Sequence, residues 1–262
     1  MQVTIKDKQF AKKLVANGTQ VADKGVPPHK ILGAWLSGSK LNGLATDESD
    51  TDLIIVVEDT PQEIMTGQPL SKQVMVKDQD THFDIKVYGV MQTWRMIRKG
   101  NPNFIEAFMV QPLAKLESDP FMMSLTTDEM ITNILRYNLP QFFKSCLGMA
   151  NGVFKRKNAT IKNYLQTIKN LKYAQYMLVF PGARKIGPNI GNGVIGGALT
   201  FRDVKERQNI PEFREFFDEL LPKIIRNLVA EIEEQIPSKV ENSEELDKLF
   251  YNKVSQELVK PY

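Results

Sequence analysis

Leu36-Ser-Gly-Ser-Lys-Leu-Asn-Gly-Leu-Ala-Thr-Asp-Glu-Ser-Asp-Thr-Asp-Leu-Ile-Ile-Val-Val57 decides the reading of this chain. A glycine-serine turn, Gly38-Ser39, closes the short apolar run Ile31-Leu-Gly-Ala-Trp-Leu36, which reads as a buried strand. Asp50 and Asp52 then open a second apolar run. In an extended strand residues i and i+2 face the same way, so these two carboxylates aim at one spot. Two ionised carboxylates held close repel each other. A hard dication between them offsets that cost, and Mg²⁺ is normally held by one or two carboxylates together with substrate phosphates. A third carboxylate, Asp84 in His82-Phe-Asp-Ile-Lys-Val-Tyr88, lies on a later predicted strand and extends the set to a two-metal clamp suited to phosphoryl chemistry.

The turn suits the other end of a nucleotide donor. Glycine lets the backbone approach a phosphate closely. The Ser39 hydroxyl can donate to a phosphate oxygen. A helix starting near Lys40 would add free N–H groups, and Lys40 itself a positive charge. Each feature alone has an ordinary explanation: Asp47-Glu-Ser-Asp50 as a solvated loop, Gly38-Ser39 as a turn, Asp84 as a strand-end acceptor. Their order and placement favour a nucleotidyl-transfer site.

The Gly-Ser pair followed by Asp-x-Asp at a strand start resembles the nucleotidyltransferases of the DNA polymerase beta superfamily. Gly38, Ser39, Asp50 and Asp52 match that signature, and Asp84 matches its third carboxylate. Gly100-Asn-Pro-Asn103, followed by Ile105-Glu106, narrows the resemblance to the RNA repair pathway DNA polymerase beta family, common in bacteria and phages. The resemblance runs over residues 30 to about 118. The family's second domain usually carries a His-x-x-Arg-type helix; the corresponding stretch, Lys169-Asn-Leu-Lys-Tyr-Ala-Gln-Tyr-Met177, has neither residue. The resemblance implies an ATP- or other NTP-using transferase with Mg²⁺ or Mn²⁺ held by Asp50, Asp52 and Asp84, and Gly38, Ser39, Lys40, Lys169 and Lys172 toward the donor. It makes an RNA end the leading acceptor, with protein side chains and small molecules still open. A non-catalytic nucleotide- or RNA-binding module, and a metal-dependent phosphohydrolase or nuclease, are the competing classes.

With 262 residues, 42% apolar and 25% charged, the composition is that of a globular protein. No run of eighteen apolar residues suggests a membrane span, and the N-terminus lacks a signal-peptide core. One cysteine, Cys146, excludes an internal disulfide and suits a cytoplasmic setting. It sits in an apolar helical pattern and reads as core rather than nucleophile. Two histidines and that cysteine leave too few ligands for zinc. A net charge of +3 permits a nucleic-acid partner without demanding one.

Periodicity predicts a helix over 7–24, strands near 31–37, 53–58, 73–78 and 83–89, and helices near 91–99 and 102–110. Glu117-Ser-Asp-Pro120 is the expected domain boundary, with proline ending what precedes it. Thr126-x-x-Glu129 reads as a capping box, and helices follow over 141–154, 158–180, 212–236 and 243–259 without further strands. The expected architecture is therefore α+β: a nucleotidyltransferase domain over 1–118, a small mixed sheet with flanking helices, then a helical domain over 119–262. Lys155, Lys162 and Lys169 recur every seven residues, as a solvated stripe or a basic wall facing triphosphate or RNA. The glycine-rich stretch 185–197 reads as a lid or a connector.

Overall fold

A computed structural model describes residues 3–22, 24–46, 49–78, 80–179, 193–196, 199–235 and 243–259. Most of the glycine-rich stretch read as a lid or a connector, 185–192 with 197, lies outside them.

The first half alternates helix and strand: α1 (Ile5–Asn17), α2 (Thr19–Ala22), β1 (Ile31–Leu36), α3 (Gly38–Leu41), β2 (Thr51–Val57), α4 (Pro61–Thr66), β3 (Ser71–Asp78), β4 (Thr81–Gly89), α5 (Val90–Arg98), α6 (Pro102–Phe108) and β5 (Ala114–Lys115). Its five strands form one sheet in the order β3-β4-β2-β1-β5. Strands β2 and β4 run parallel and the other neighbours antiparallel, so the sheet is mixed. Strand β4, paired on both sides, alternates between buried residues on the face toward α1 and half-exposed residues on the opposite face. On one face Leu53, Ile55, Phe83 and Ile85 pack under α1, where the Phe10 and Phe83 rings stack at 3.8 Å. On the other, Trp35, Ile54 and Val56 meet Phe104 and Phe108 of α6. Asp52 and Asp84 lie on this second face, which their i, i+2 neighbours Ile54 and Lys86 share.

The second half is α7 (Pro120–Leu125), α8 (Asp128–Lys155), α9 (Ile161–Val179), a small hairpin of β6 (Val194–Gly196) and β7 (Leu199–Thr200), α10 (Phe201–Arg207), α11 (Pro211–Gln235) and α12 (Ser243–Val259). The α+β class is as expected, but the β6–β7 hairpin breaks the all-helical reading of this half, and α10 is a further helix that reading did not include; runs of two or three strand residues give no periodic signal. Three further corrections concern boundaries. Pro120 begins α7 rather than ending an element, with Asp119 accepting from the Met122 N–H at 3.0 Å as its cap. Thr127, not Thr126, caps α8, accepting from the Met130 N–H at 3.2 Å, while the Thr126 hydroxyl turns back to the Met122 carbonyl. Helix α8 runs unbroken through Pro140, because packing against α5, α6, α9 and α12 outweighs the lost backbone bond.

Helix α6 joins the halves. Ile105 belongs to the core that α8, α9 and α11 form, while Phe104, Ala107 and Phe108 belong to the core on the sheet. Helix α12 returns to the first half: Trp94 stacks on Phe250 at 4.0 Å and its indole N–H donates to Asp247 at 3.0 Å.

Candidate nucleotidyl-transfer site

The apolar run after Asp52 fixes β2 at the centre of the sheet, and the His82–Tyr88 run fixes β4 beside it. Their parallel register pairs Asp52 directly with Asp84. Asp50 is exposed, one residue ahead of β2, and its charge adds to theirs. Burial pushes the Asp52 carboxyl above the ordinary carboxylate value; Asp84 and Asp50 push the same way, against Lys86 and Lys162. Gln73, on the neighbouring strand, donates its amide to both Asp84 oxygens at 2.7 and 2.8 Å.

The turn after β1 is built around this pair. Gly38 has φ +65°, and a Cβ there would stand 1.9 Å from Asp52 Oδ2. No side chain fits, so glycine is required both by backbone sign and by the approach of the carboxylate. The Ser37 N–H donates to the Asp52 carbonyl at 2.9 Å, which ties the turn to β2. The Ser37 hydroxyl is buried and finds no hydrogen-bond partner among the described residues. Half-buried Ser39 follows on α3.

The lysines separate. Lys40 does not reach the carboxylate pair. Its ammonium donates to Asp7 at 3.0 and 3.2 Å and to the Thr51 hydroxyl at 2.5 Å. Asp7 is fully buried, and a buried carboxylate takes the nearest cation. Lys169 is likewise committed: it is 4% exposed and pairs with Glu106 at 2.5 Å, between α9 and α6. Lys172 is half-buried further along α9. The seven-residue lysine pattern is not one stripe, because α8 ends at Lys155 and α9 begins afresh at Ile161, where Thr160 and Asn163 cap each other. Lys162 is the one of the three whose charge is a leading influence on Asp52.

Residues not selected from the sequence stand on the basic side. Lys86 follows Asp84 by two positions and shares its face, a relation strand periodicity could have revealed. Arg202 and Lys205 come from α10, more than a hundred residues away. Arg202 donates to the Gly43 carbonyl at 3.4 Å and Lys205 to the Leu44 carbonyl, so α10 docks on the loop just after α3. Burial lowers the Lys205 pKa, Lys162 adds to the lowering and Asp52 opposes it. Cys146 is buried with its thiol pKa pushed far up by burial, in keeping with a core role.

Asp50, Asp52 and Asp84 offer only oxygen donors, the chemistry a hard dication requires. Asp52 and Asp84 fit such an ion as a register pair, with Gly38 leaving the Asp52 oxygen unobstructed by a Cβ. Among the described residues no three acidic, histidine or cysteine side chains gather into one metal-binding group.

The mixed sheet thus carries the register pair Asp52 and Asp84 beside the glycine-serine turn. The chain belongs to the RNA repair pathway DNA polymerase beta family, whose model matches residues 12–178. That match runs past residue 118 and through most of α9, further than the sequence motifs reach. Among solved structures the chain is similar to a nucleotidyltransferase-like protein from Exiguobacterium sibiricum 255-15, at 12% identity and a TM-score of 0.29, over 94% of this chain and 81% of that one. No curated protein matches it. No helix among the described residues is long and apolar enough to cross a membrane.

Proposed function

We propose that this protein transfers a nucleoside monophosphate from an NTP to the terminal hydroxyl of an RNA, in the cytoplasm. The observation that carries the reading is the pairing of Asp52 with Asp84 against the Gly38 turn. Asp50, Asp52 and Asp84 would hold Mg²⁺ or Mn²⁺, which when bound stabilises the charge that builds on the entering and leaving oxygens.

The protein's own groups do the rest. The Gly38 backbone lets phosphate oxygens approach, and the Ser39 and Ser37 hydroxyls donate to them. Lys162 and Lys205, with Arg202 beside them, supply positive charge across from the carboxylates, in a site where fixed charges need no reorganisation. Asp84 accepts the proton of the attacking hydroxyl, whose oxygen bonds to the α-phosphorus as the bond to the bridging oxygen breaks. Pyrophosphate leaves with that electron pair.

Incubation of the protein with each NTP in turn, with and without total RNA, tests this. The expected result is incorporation into RNA with pyrophosphate as the second product. Release of inorganic phosphate would identify a phosphohydrolase instead, and labelling of the protein or of a small molecule would move the acceptor away from RNA.

A further inference from the structure

A cavity of about 690 Å³ opens between the Gly100-Asn-Pro-Asn103 turn and the facing sides of α8 and α9. Its volume lies within the ordinary range of small-molecule sites. The transfer site uses none of its lining residues. Helix α9 contributes to both: Lys162, whose charge acts on Asp52, and Asn163 and Gln166, which line the cavity.

The lining carries the charge of an anion site. Lys99 and Arg156, both exposed, stand in it, and among the described residues it contains no carboxylate. Three amides are held in fixed orientations by half of their own hydrogen-bonding capacity. Asn101 Oδ1 accepts from the Asn103 and Phe104 N–H groups at 3.1 and 3.4 Å. Asn163 Oδ1 accepts from the Thr160 N–H and hydroxyl, each at 3.1 Å. Gln166 donates to Asn103 Oδ1 at 3.0 Å. What remains is two amide donors and one carbonyl acceptor, the complement of a nucleobase edge. Apolar surface from Met96, Met149 and Val153 suits the face of a ring.

The wall contributed by α8 has been cut back. Gly148 and Gly152 lie one turn apart on the cavity side, and a Cβ at either would meet no atom of another element within 4 Å. Glycine in a helix interior costs about 0.8–1 kcal/mol relative to alanine. No neighbour demands that cost here. The two glycines leave room for something flat against the helix.

We propose that this cavity binds the terminal nucleotide of the acceptor RNA, with its base against Gly148 and Gly152 and its phosphate toward Arg156 and Lys99. The proposal rests on the RNA-transfer reading above. A free nucleotide has the same chemistry and could come from the donor pool instead.

The test measures binding of a short 3′-hydroxyl oligoribonucleotide, of free AMP, and of NTP with Mg²⁺ to the full chain. The variants are Gly152→Leu, which fills the cavity without displacing a neighbour at Cβ, and Arg156→Gln, which changes an exposed side chain and leaves the core alone. Gly152→Leu should weaken the oligonucleotide at least tenfold while NTP affinity stays within twofold. Arg156→Gln should lower the slope of log K against log salt by about one. Unchanged oligonucleotide binding in both variants overturns the proposal. So does loss of NTP or AMP binding with the oligonucleotide unaffected, which would make the cavity a free-nucleotide site. If the wild-type protein neither binds nor extends RNA, the RNA reading itself falls, and this proposal with it.

Discussion

Asp52 stands where a charged carboxylate is disfavoured. Burial raises its pKa above the ordinary 3.8, and Asp84 and Asp50 add repulsion, only partly offset by Lys86 and Lys162. A group whose folded pKa is raised contributes stability that is present below its unfolded pKa and lost as pH rises through the folded value. Near neutral pH Asp52 therefore costs stability, and Asp52→Asn should raise the melting temperature of the metal-free protein slightly, by no more than about 1 kcal/mol equivalent. The same change should abolish transfer, so thermal melts and an activity assay on one preparation move in opposite directions. Asp7 behaves conversely. Burial would raise its pKa, but hydrogen bonds from the Thr4 N–H and hydroxyl, Lys40 and Thr51 bring it below 3.8. Its contribution is present above that ordinary value and lost as pH falls through the lower folded one. Asp7→Asn should cost about 3 kcal/mol at pH 7 by stranding Lys40, and should flatten the acid limb of a pH series of denaturant titrations. The strands that carry Asp52 and Asp84 were legible in the sequence from their apolar runs; period two was applied to Asp50 and Asp52, and Asp50 falls just ahead of β2. The partner of Lys40 was not legible, since nothing local links residue 40 to residue 7.

At the scale of elements, the Gly-Asn-Pro-Asn turn is explained by what meets there. Gly100 has φ +64°, and a Cβ would stand 2.3 Å from the Phe142 nitrogen on α8. Asn101 caps α6, Pro102 occupies its first turn and Asn103 accepts from Gln166 of α9. Gly100→Ala combines a left-handed penalty of about 1–2 kcal/mol with overpacking of about 1–3 kcal/mol. A chemical-denaturation midpoint should fall accordingly, and a midpoint equal to wild type would contradict the close approach. The Glu106–Lys169 pair makes the same junction from the interior. Lys169→Met alone should destabilise by about 3–5 kcal/mol because it leaves Glu106 buried and unpaired, whereas Glu106→Leu with Lys169→Met should recover most of the loss. A double variant no better than the single one would show that the pair does not act as a unit. Glu106 was visible in the sequence as part of a motif, but Lys169 read as a donor ligand, because sequence spacing places a residue on a helix face without saying what covers that face.

Across the whole molecule the helical half serves the sheet by bringing cations to it. Alternation and helical period reveal the sheet, α8, α9, α11 and α12 in outline. They do not reveal that α10 docks on the loop after α3, because Arg202 and Lys205 meet Gly43 and Leu44 across more than 150 residues of chain. If those cations bind the donor, Lys205→Gln should weaken NTP by about ten- to a hundredfold in kcat/KM, the equivalent of one lost charge-assisted hydrogen bond of about 1.5–3 kcal/mol. Unchanged NTP kinetics would make α10 a purely structural clasp. The most direct test of the carboxylate pair is single-turnover transfer. Wild-type protein and Asp52→Ala are mixed with α-labelled NTP, Mg²⁺ and a 3′-hydroxyl RNA, and label in RNA is followed alongside pyrophosphate. Labelled RNA with equimolar pyrophosphate from the wild type, and neither from a folded Asp52→Ala protein, is the predicted result. Equal transfer by both proteins would contradict the account.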